Sequence, residues 1–191
     1  NPKYIPKPYE QMTHPGQRVQ IDVKHVPAAC ILGDAEGEKF YQYTAIDEFS
    51  RFRYVEAFRE ISTYSSMVFL EHMLKAFPFP VECVQTDNGF EFTKRFGSSK
   101  SDKDLTLFEK KLAELGIEHK KIRPFTPRHN GKVERSHRKD NEYFYATHRF
   151  YSFEDFSKQL KIHNKKYNNF PMRPLGWKSP RETLKSFLRS V

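Results

Sequence analysis

Three early segments of the chain alternate apolar and polar residues with a period of two. Arg18 to Val26 sets Val19, Ile21 and Val23 against Arg18, Gln20, Asp22 and Lys24, the pattern of a strand with two unlike faces. Lys39 to Ile46 carries Phe40, Tyr41, Tyr43 and Ile46, and Phe52 to Phe58 follows after the tight connection 47–51. The acidic, Gly-bearing stretch 33–37 reads as a turn, so short links join three strands and predict an antiparallel meander. The period then changes. Ser62 and Thr63 are N-cap residues for a helix running to about Phe77. Met67, Leu70, Met73, Leu74 and Phe77 form its stripe, and Pro78 and Pro80 stop it. Glu82 to Thr86 is a short strand closed by Asp87-Asn88-Gly89. Leu105 to Leu115 is helical with Gly116 as its C-cap, and Ile117 to Ile122 is a strand. The polar stretch 93–104 and the segment 123–130, which holds two Pro, are loops. From Gly131 no Pro or Gly intervenes until about Arg149, predicting one long helix. Another runs from about Ser152 to Asn168, and Pro180 to Leu188 forms a terminal helix.

The order β-β-β-α-β-α-β-α-α predicts an α/β fold, a five-stranded mixed sheet of antiparallel meander plus parallel strands flanked by helices. Residues 1–17, with four Pro and one Gly, read as an extended linker. The expected organisation is a linker at 1–17, a core at 18–150 and a basic helical extension at 151–191. At 191 residues with 37% hydrophobic and 15% aromatic content, one domain can bury a sizeable core. No apolar run approaches a membrane span, and no charged segment followed by an apolar one opens the chain as a secretory signal would. The chain begins with Asn1, so a longer parent protein is expected. Cys30 and Cys83 are too few for a disulfide framework or a four-cysteine zinc site. They read as buried reduced thiols of a cytoplasmic protein.

Charge changes this picture. The net charge is +9, but residues 1–118 hold 15 Lys/Arg against 18 Asp/Glu, and residues 119–191 hold 18 against 6. A net of −3 beside +12 predicts a polyanionic partner on the C-terminal part. Three carboxylates lie where the fold could gather them: Asp22 on the first strand, Asp87 at the end of the fourth, and Glu134 near the start of the long helix. Each alone reads as a solvated or salt-bridged acid. Together they would repel strongly unless hard divalent cations neutralised them. Two such ions about 3.5–4 Å apart suit phosphodiester displacement. Among competing acids, Asp47 reads as a turn-holder pairing with Arg51 or Arg53. Glu71 lies on the flank of its helix's apolar stripe, and Glu91 takes no assigned role.

The segments VQIDVKH, VQTDNGFEF and PRHNGKVERSHR resemble the three motifs of the DDE transposase/integrase catalytic core. The nearest pattern is that of bacterial insertion-sequence transposases with a retroviral-integrase-like core. The likeness covers about residues 17–150, and YNNFPMRPLGWKSP resembles what often follows. It implies an RNase H-like fold with Asp22, Asp87 and Glu134 as both catalytic acids and metal ligands. It further implies two Mg²⁺ or Mn²⁺ ions, and hydrolytic nicking followed by strand transfer of DNA ends. Double-stranded DNA (transposon ends and target) and further copies of the chain are the implied partners, in a bacterial, nucleoid-associated setting. Forty-six residues separate Asp87 from Glu134, more than in retroviral integrases, and the polar stretch 93–104 accounts for the excess as a loop insertion.

Residues 119–150 hold nine Lys/Arg, three acids and four of the eight His. On the predicted helix, Asn130, His137, Arg138 and Asn141 share the face of Glu134. Lys132, Arg135 and Lys139 lie on adjoining faces, and Arg123, Arg128 and His129 come from the preceding loop. These residues form the expected DNA-binding surface, with contacts to phosphates that set register and salt dependence. Two other readings stay open. One is a ribonuclease H-like nuclease that cuts without joining and draws a further acid, Glu71, from the first helix. The other is a non-catalytic DNA-binding domain derived from a transposase.

Overall fold

The structure is a computed structural model that describes residues 10–94, 105–122 and 130–190. Five strands form one sheet in the order β3-β2-β1-β4-β5. They are β1 (Val19–His25), β2 (Tyr41–Asp47), β3 (Arg53–Phe58), β4 (Cys83–Thr86) and β5 (Glu118–Lys121). The first three pair antiparallel, as short links require, while β4 joins β1 and β5 joins β4 in parallel. Each parallel connection crosses over through a helix: α1 (Thr63–Ala76) and α2 (Leu107–Glu114). Ser62 Oγ accepts from Ser65 N at the start of α1, and Thr106 and Glu109 form a reciprocal capping box on α2. The expected mixed sheet is therefore the observed one.

Strand alternation gives the sheet two chemically different faces. Val19, Ile21, Tyr43 and Ala45 point to one side and pack with Phe69, Leu70 and Met73 of α1 and Phe108 and Leu112 of α2. Gln20, Gln42 and Thr44 point to the other. The polar half of the β1 pattern suggests a wet face, yet Gln20 is 1% exposed and Gln42 is fully buried. Helices α3 (Gly131–Asp140) and α4 (Phe153–Asn169) cover that side. A polar core forms there because the buried stripe of α3 is itself polar: Ser136, His137 and Asp140 beside Val133.

The long helix differs from expectation at its end. After Asp140 the chain makes a π-helical turn, Asn141–Tyr145, in which Ala146 N bonds to Asn141 O at 3.1 Å. The wider turn re-phases the helix, so the consecutive residues Phe144 (0% exposed) and Tyr145 (3%) both reach the core. In the segment 151–191, Phe156 and Leu160 of α4 and Leu184 of α5 (Pro180–Leu188) are buried. Ile162, Trp177 and Leu188 stay exposed. Both cysteines are buried and free. No helix among the described residues is long and apolar enough to cross a membrane.

Candidate active site

Parallel pairing of β1 with β4 sets Gln20 opposite Gln85. Carried on by two residues, past the end of β4 at Thr86, that register would set Asp22 opposite Asp87. Ligands of open α/β sheets gather at such carboxyl ends of adjacent parallel strands. Asp87 Oδ1 accepts from Gly89 N at 2.9 Å, an Asx turn that holds its carboxylate at the edge. Asn88 Nδ2 donates to Ile122 O at 2.8 Å and ties this turn to the end of β5.

Helix α3 is docked onto β1 through its own N-terminus. The first N–H groups of a helix have no partner within it, and the side chain of Asn130 does not cap this one. Gln20 Oε1 instead accepts from both Lys132 N and Val133 N at 3.1 Å, and Gln20 Nε2 donates to the buried Glu48 at 2.7 Å. Two residues along β1 from Gln20 stands Asp22, and one residue along α3 from Val133 stands Glu134. A single glutamine thus relates the two acids.

His137, one turn on from Glu134, completes the link. Its Nδ1 lies 3.4 Å from Asp22 Oδ2, and its Nε2 shares a 3.0 Å hydrogen bond with Thr44 Oγ1. Thr44 is paired with Asp22 across β1 and β2. Asp22 Oδ1 also accepts from Val23 N at 2.9 Å. One oxygen of Asp22 is therefore fixed by backbone and the other lies near a buried imidazole, with the side chain 23% exposed.

The electrostatics trace the same grouping. The Glu134 carboxyl is raised above its ordinary range by burial and by the charge of Asp22, while His137 and Arg138 pull it back. Glu91 is 9% exposed and is also raised, first by burial and then by Asp87 and Asp22, against a bond from its own backbone. Its carboxylate lies so close to Gly89 that a Cβ there would meet Glu91 Oε2 at 2.6 Å. Asp22 thus lies near enough to disfavour the charge of both Glu134 and Glu91, and Asp87 that of Glu91. Among the described residues no three His, Cys, Asp or Glu side chains form a ready cation cage. In kind, however, the donors fit a hard divalent ion. They are carboxylate oxygens near the carboxyl ends of adjacent parallel strands, and Glu134 and Glu91 are raised in part by acidic neighbours.

The expected DNA contacts separate into classes. Arg135 and Arg138 are exposed and Lys139 is half-buried. Lys132 reaches inward to Glu48 at 2.8 Å, and Asn130 and His137 are buried, at 2% and 9% exposure. Arg123, Arg128 and His129 lie outside the described residues, as do 1–9 of the linker and most of the polar loop. Asp47 does hold its turn, accepting from Ser50 N, Ser50 Oγ and Gly16 N. Arg53, however, pairs elsewhere. Its guanidinium donates to Asp140 at 2.9 Å, and Asp140 also takes His163 at 2.7 Å and Gln42 at 2.8 Å. Gln42 donates on to Thr44 at 3.0 Å, so the buried pair connects through three hydrogen bonds to the His137 that faces Asp22. Arg53 and Asp140 escape a sequence reading because neither belongs to an apolar periodicity and each finds its partner 87 residues away.

Two family models, each described as an integrase core domain, match residues 12–127 and 115–180. The "Putative integrase ORF3" of Spiroplasma virus SpV1-C74 is 26% identical over 169 residues, covering 75% of this chain; the chain spans 45% of that relative's length. Among solved structures, the simian T-cell lymphotropic virus intasome in complex with PP2A regulatory subunit B56 gamma contains a chain 18% identical. It aligns at TM-score 0.70 over 96% of this chain and 60% of its own. The catalytic core domain of BIV integrase matches at 16% identity and TM-score 0.62, covering 92% and 97%. The HTLV-2 integrase catalytic core domain in complex with magnesium, a trimeric form, matches at 18% and 0.61, covering 88% and 96%. These likenesses give the sheet and its helices their place: an RNase H-like fold.

Proposed function

This chain belongs to the integrase core domain family, and we propose that it is a catalytic core that nicks DNA ends by hydrolysis and then joins them to a target strand. What supports the reading is the position of Asp22, Asp87 and Glu134 in the fold. Two stand at neighbouring parallel strand ends, and the third is on a helix docked to the first strand by Gln20. Two Mg²⁺ or Mn²⁺ ions held by these three acids would supply the positive charge that acidifies a water or 3′-hydroxyl and stabilises the departing oxygen.

The remaining work falls to the chain itself. His137 and Val23 N hold Asp22 in one orientation, and Gly89 N holds Asp87. Arg138, exposed and one turn from Glu134, is placed to bind a phosphate of double-stranded DNA beside the acids. Joining two ends to a target calls for more than one copy of the chain. The nuclease-only alternative draws an acid from α1, but Glu71 pairs with Lys111 of α2 at 2.8 Å. That contact supports cutting with joining over cutting alone.

The test is a nicking and strand-transfer assay in Mg²⁺ with Asp22→Asn, Asp87→Asn and Glu134→Gln. Each should lower the rate by about 10³-fold or more and leave DNA affinity nearly unchanged. Wild-type turnover by any one of the three would refute the assignment.

A further inference from the structure

At about 100° per residue, Lys132, Arg135 and Lys139 of α3 lie on the flank turned away from Glu134 and His137. They border a cleft of about 540 Å³, within the range of ligand sites. Arg51 and Arg173 contribute two further cations, and no Asp or Glu among the described residues lines it. Arg135 and Arg173 make no side-chain hydrogen bond or ion pair with any described residue.

The cleft also carries two outward aromatic rings, Phe170 at 61% and Trp177 at 71% exposure. Lys139 Nζ lies 5.9 Å from the centre of the Phe170 ring. Backbone strain marks the same place. Arg51 (φ 62°) and Trp177 (φ 63°) are the two non-glycine residues with positive φ among the described residues, and both line the cleft. A bulky residue in the left-handed region persists only where surrounding structure imposes it, and such strain clusters at ligand sites. Here Trp177 N bonds to Met172 O at 3.1 Å, and Met172 N to Lys178 O at 3.0 Å. This closed turn holds the indole out of the core.

We propose that this cleft binds a single-stranded segment of DNA. Arg135, Lys139 and Arg173 take its phosphates, and Trp177 and Phe170 give its unpaired bases a stacking platform. Cations with interleaved exposed aromatics suit single strands because every base has a face to stack, whereas a duplex keeps its faces internal. The inference rests on the reading above only in taking DNA as the polyanion. It places a second nucleic-acid contact on the opposite flank of the helix that carries Glu134.

Trp177 is the single tryptophan of the chain, so its fluorescence reports the cleft directly. A short mixed-sequence single-stranded oligonucleotide, titrated in EDTA, should quench the emission with an affinity that falls steeply with salt. A blunt duplex should quench much less. By anisotropy of a labelled oligonucleotide, Trp177→Ala should weaken single-strand binding by about 5- to 100-fold, Trp177→Phe should retain most of it, and Arg135→Glu should weaken it as well. Trp177→Gly should lose the binding while its melting temperature holds or rises, since glycine relieves the positive φ. Equal quenching by duplex, unchanged affinity in Trp177→Ala, or a Trp177→Gly protein that loses stability together with affinity would overturn the proposal. So would an emission change that follows protein concentration without DNA, which would make the cleft an interface between copies. Asp22→Asn should quench like wild type, so a failure of the catalytic reading remains distinguishable from a failure of this one.

Discussion

Helix α3 carries two carboxylates, Asp140 and Glu134, each grouped with other polar side chains, and their charges meet opposite fates. Asp140 is fully buried, which alone would raise its pKa. Arg53, His163 and Gln42 outweigh the burial and hold its carboxyl well below the usual range. Glu134 and Glu91 are less deeply placed, yet both are raised, because burial is reinforced by Asp22 and, for Glu91, by Asp87 as well. In the first set the two buried charges answer each other, Arg53 against Asp140, and the set holds β3, α3 and α4 together. The second is incomplete. Its carboxylates are held by hydrogen bonds that serve position, and His137 and Arg138, the cations near Glu134, offset its raised carboxyl only in part. Compensation thus separates architecture from function more sharply than burial does.

That contrast can be broken most forcefully at Arg53. Arg53→Met leaves Asp140 buried without its main partner, and such a loss costs about 3–5 kcal/mol. For a domain of this size the melting temperature should drop by about 6–20 °C in calorimetry. A change no larger than that of an ordinary surface substitution would show that Arg53 and Asp140 do not form a stabilising unit. The pH dependence follows the sign of the shift. A carboxyl depressed in the folded state stabilises the protein above its unfolded value, near 3.8, and that contribution is lost as pH falls through the lower folded value. Denaturant titrations should therefore show an acid loss below about pH 4 that is much reduced in Asp140→Asn.

The incomplete set should behave in the opposite sense. Glu91 is raised from 4.5 in the folded state, so folding is favoured below that value and penalised as pH rises through the folded pKa. Without metal at neutral pH, Glu91→Gln should raise the melting temperature by a few degrees, with the two proteins converging near pH 4. Added Mg²⁺ should narrow the gap by stabilising the parent more. If Glu91→Gln is instead the less stable at neutral pH without metal, the acids are not mutually repelling.

The smallest expected effect concerns Arg138. Its truncation to Ala should flatten the salt slope of duplex DNA binding by about one and leave the choice of sequence unchanged. An unaltered slope would remove Arg138 from the phosphate contacts. Charge reversal of Lys132 is a poorer probe of the same surface. Lys132 holds Glu48 at 2.8 Å, so stability and DNA affinity would fall together.

Elements whose signals are local were legible from the residues. Ser62 and Ser152 cap their helices as their positions suggest, and Pro180 to Leu188 is a helix over the predicted span. The meander follows from short links that leave antiparallel pairing the easiest closure. The three acids could be singled out because carboxylates within or beside strands are unusual and lie in recognisable motifs. Glu91 passed without a role because its closeness to Asp22 depends on how β1 and β4 align. The alternation of β1 specifies two unlike faces but not that both are buried. Gln20 looks like a solvent residue until α3 places its unpaired N–H groups above it.

The sequence by itself determined the order and type of the elements and the imbalance of charge between the two parts of the chain, and it singled out the three acids proposed to hold a metal ion. Those properties reside in neighbours a few positions apart. Only the tertiary structure decided that Asp140 would be compensated while Glu134 and Glu91 would not, that Lys132 would turn inward, and that Arg51 and Trp177 would meet across one cleft. Each of these depends on partners many residues apart, and charge, unlike hydrophobic burial, has a sign that only the identity of the neighbour can set.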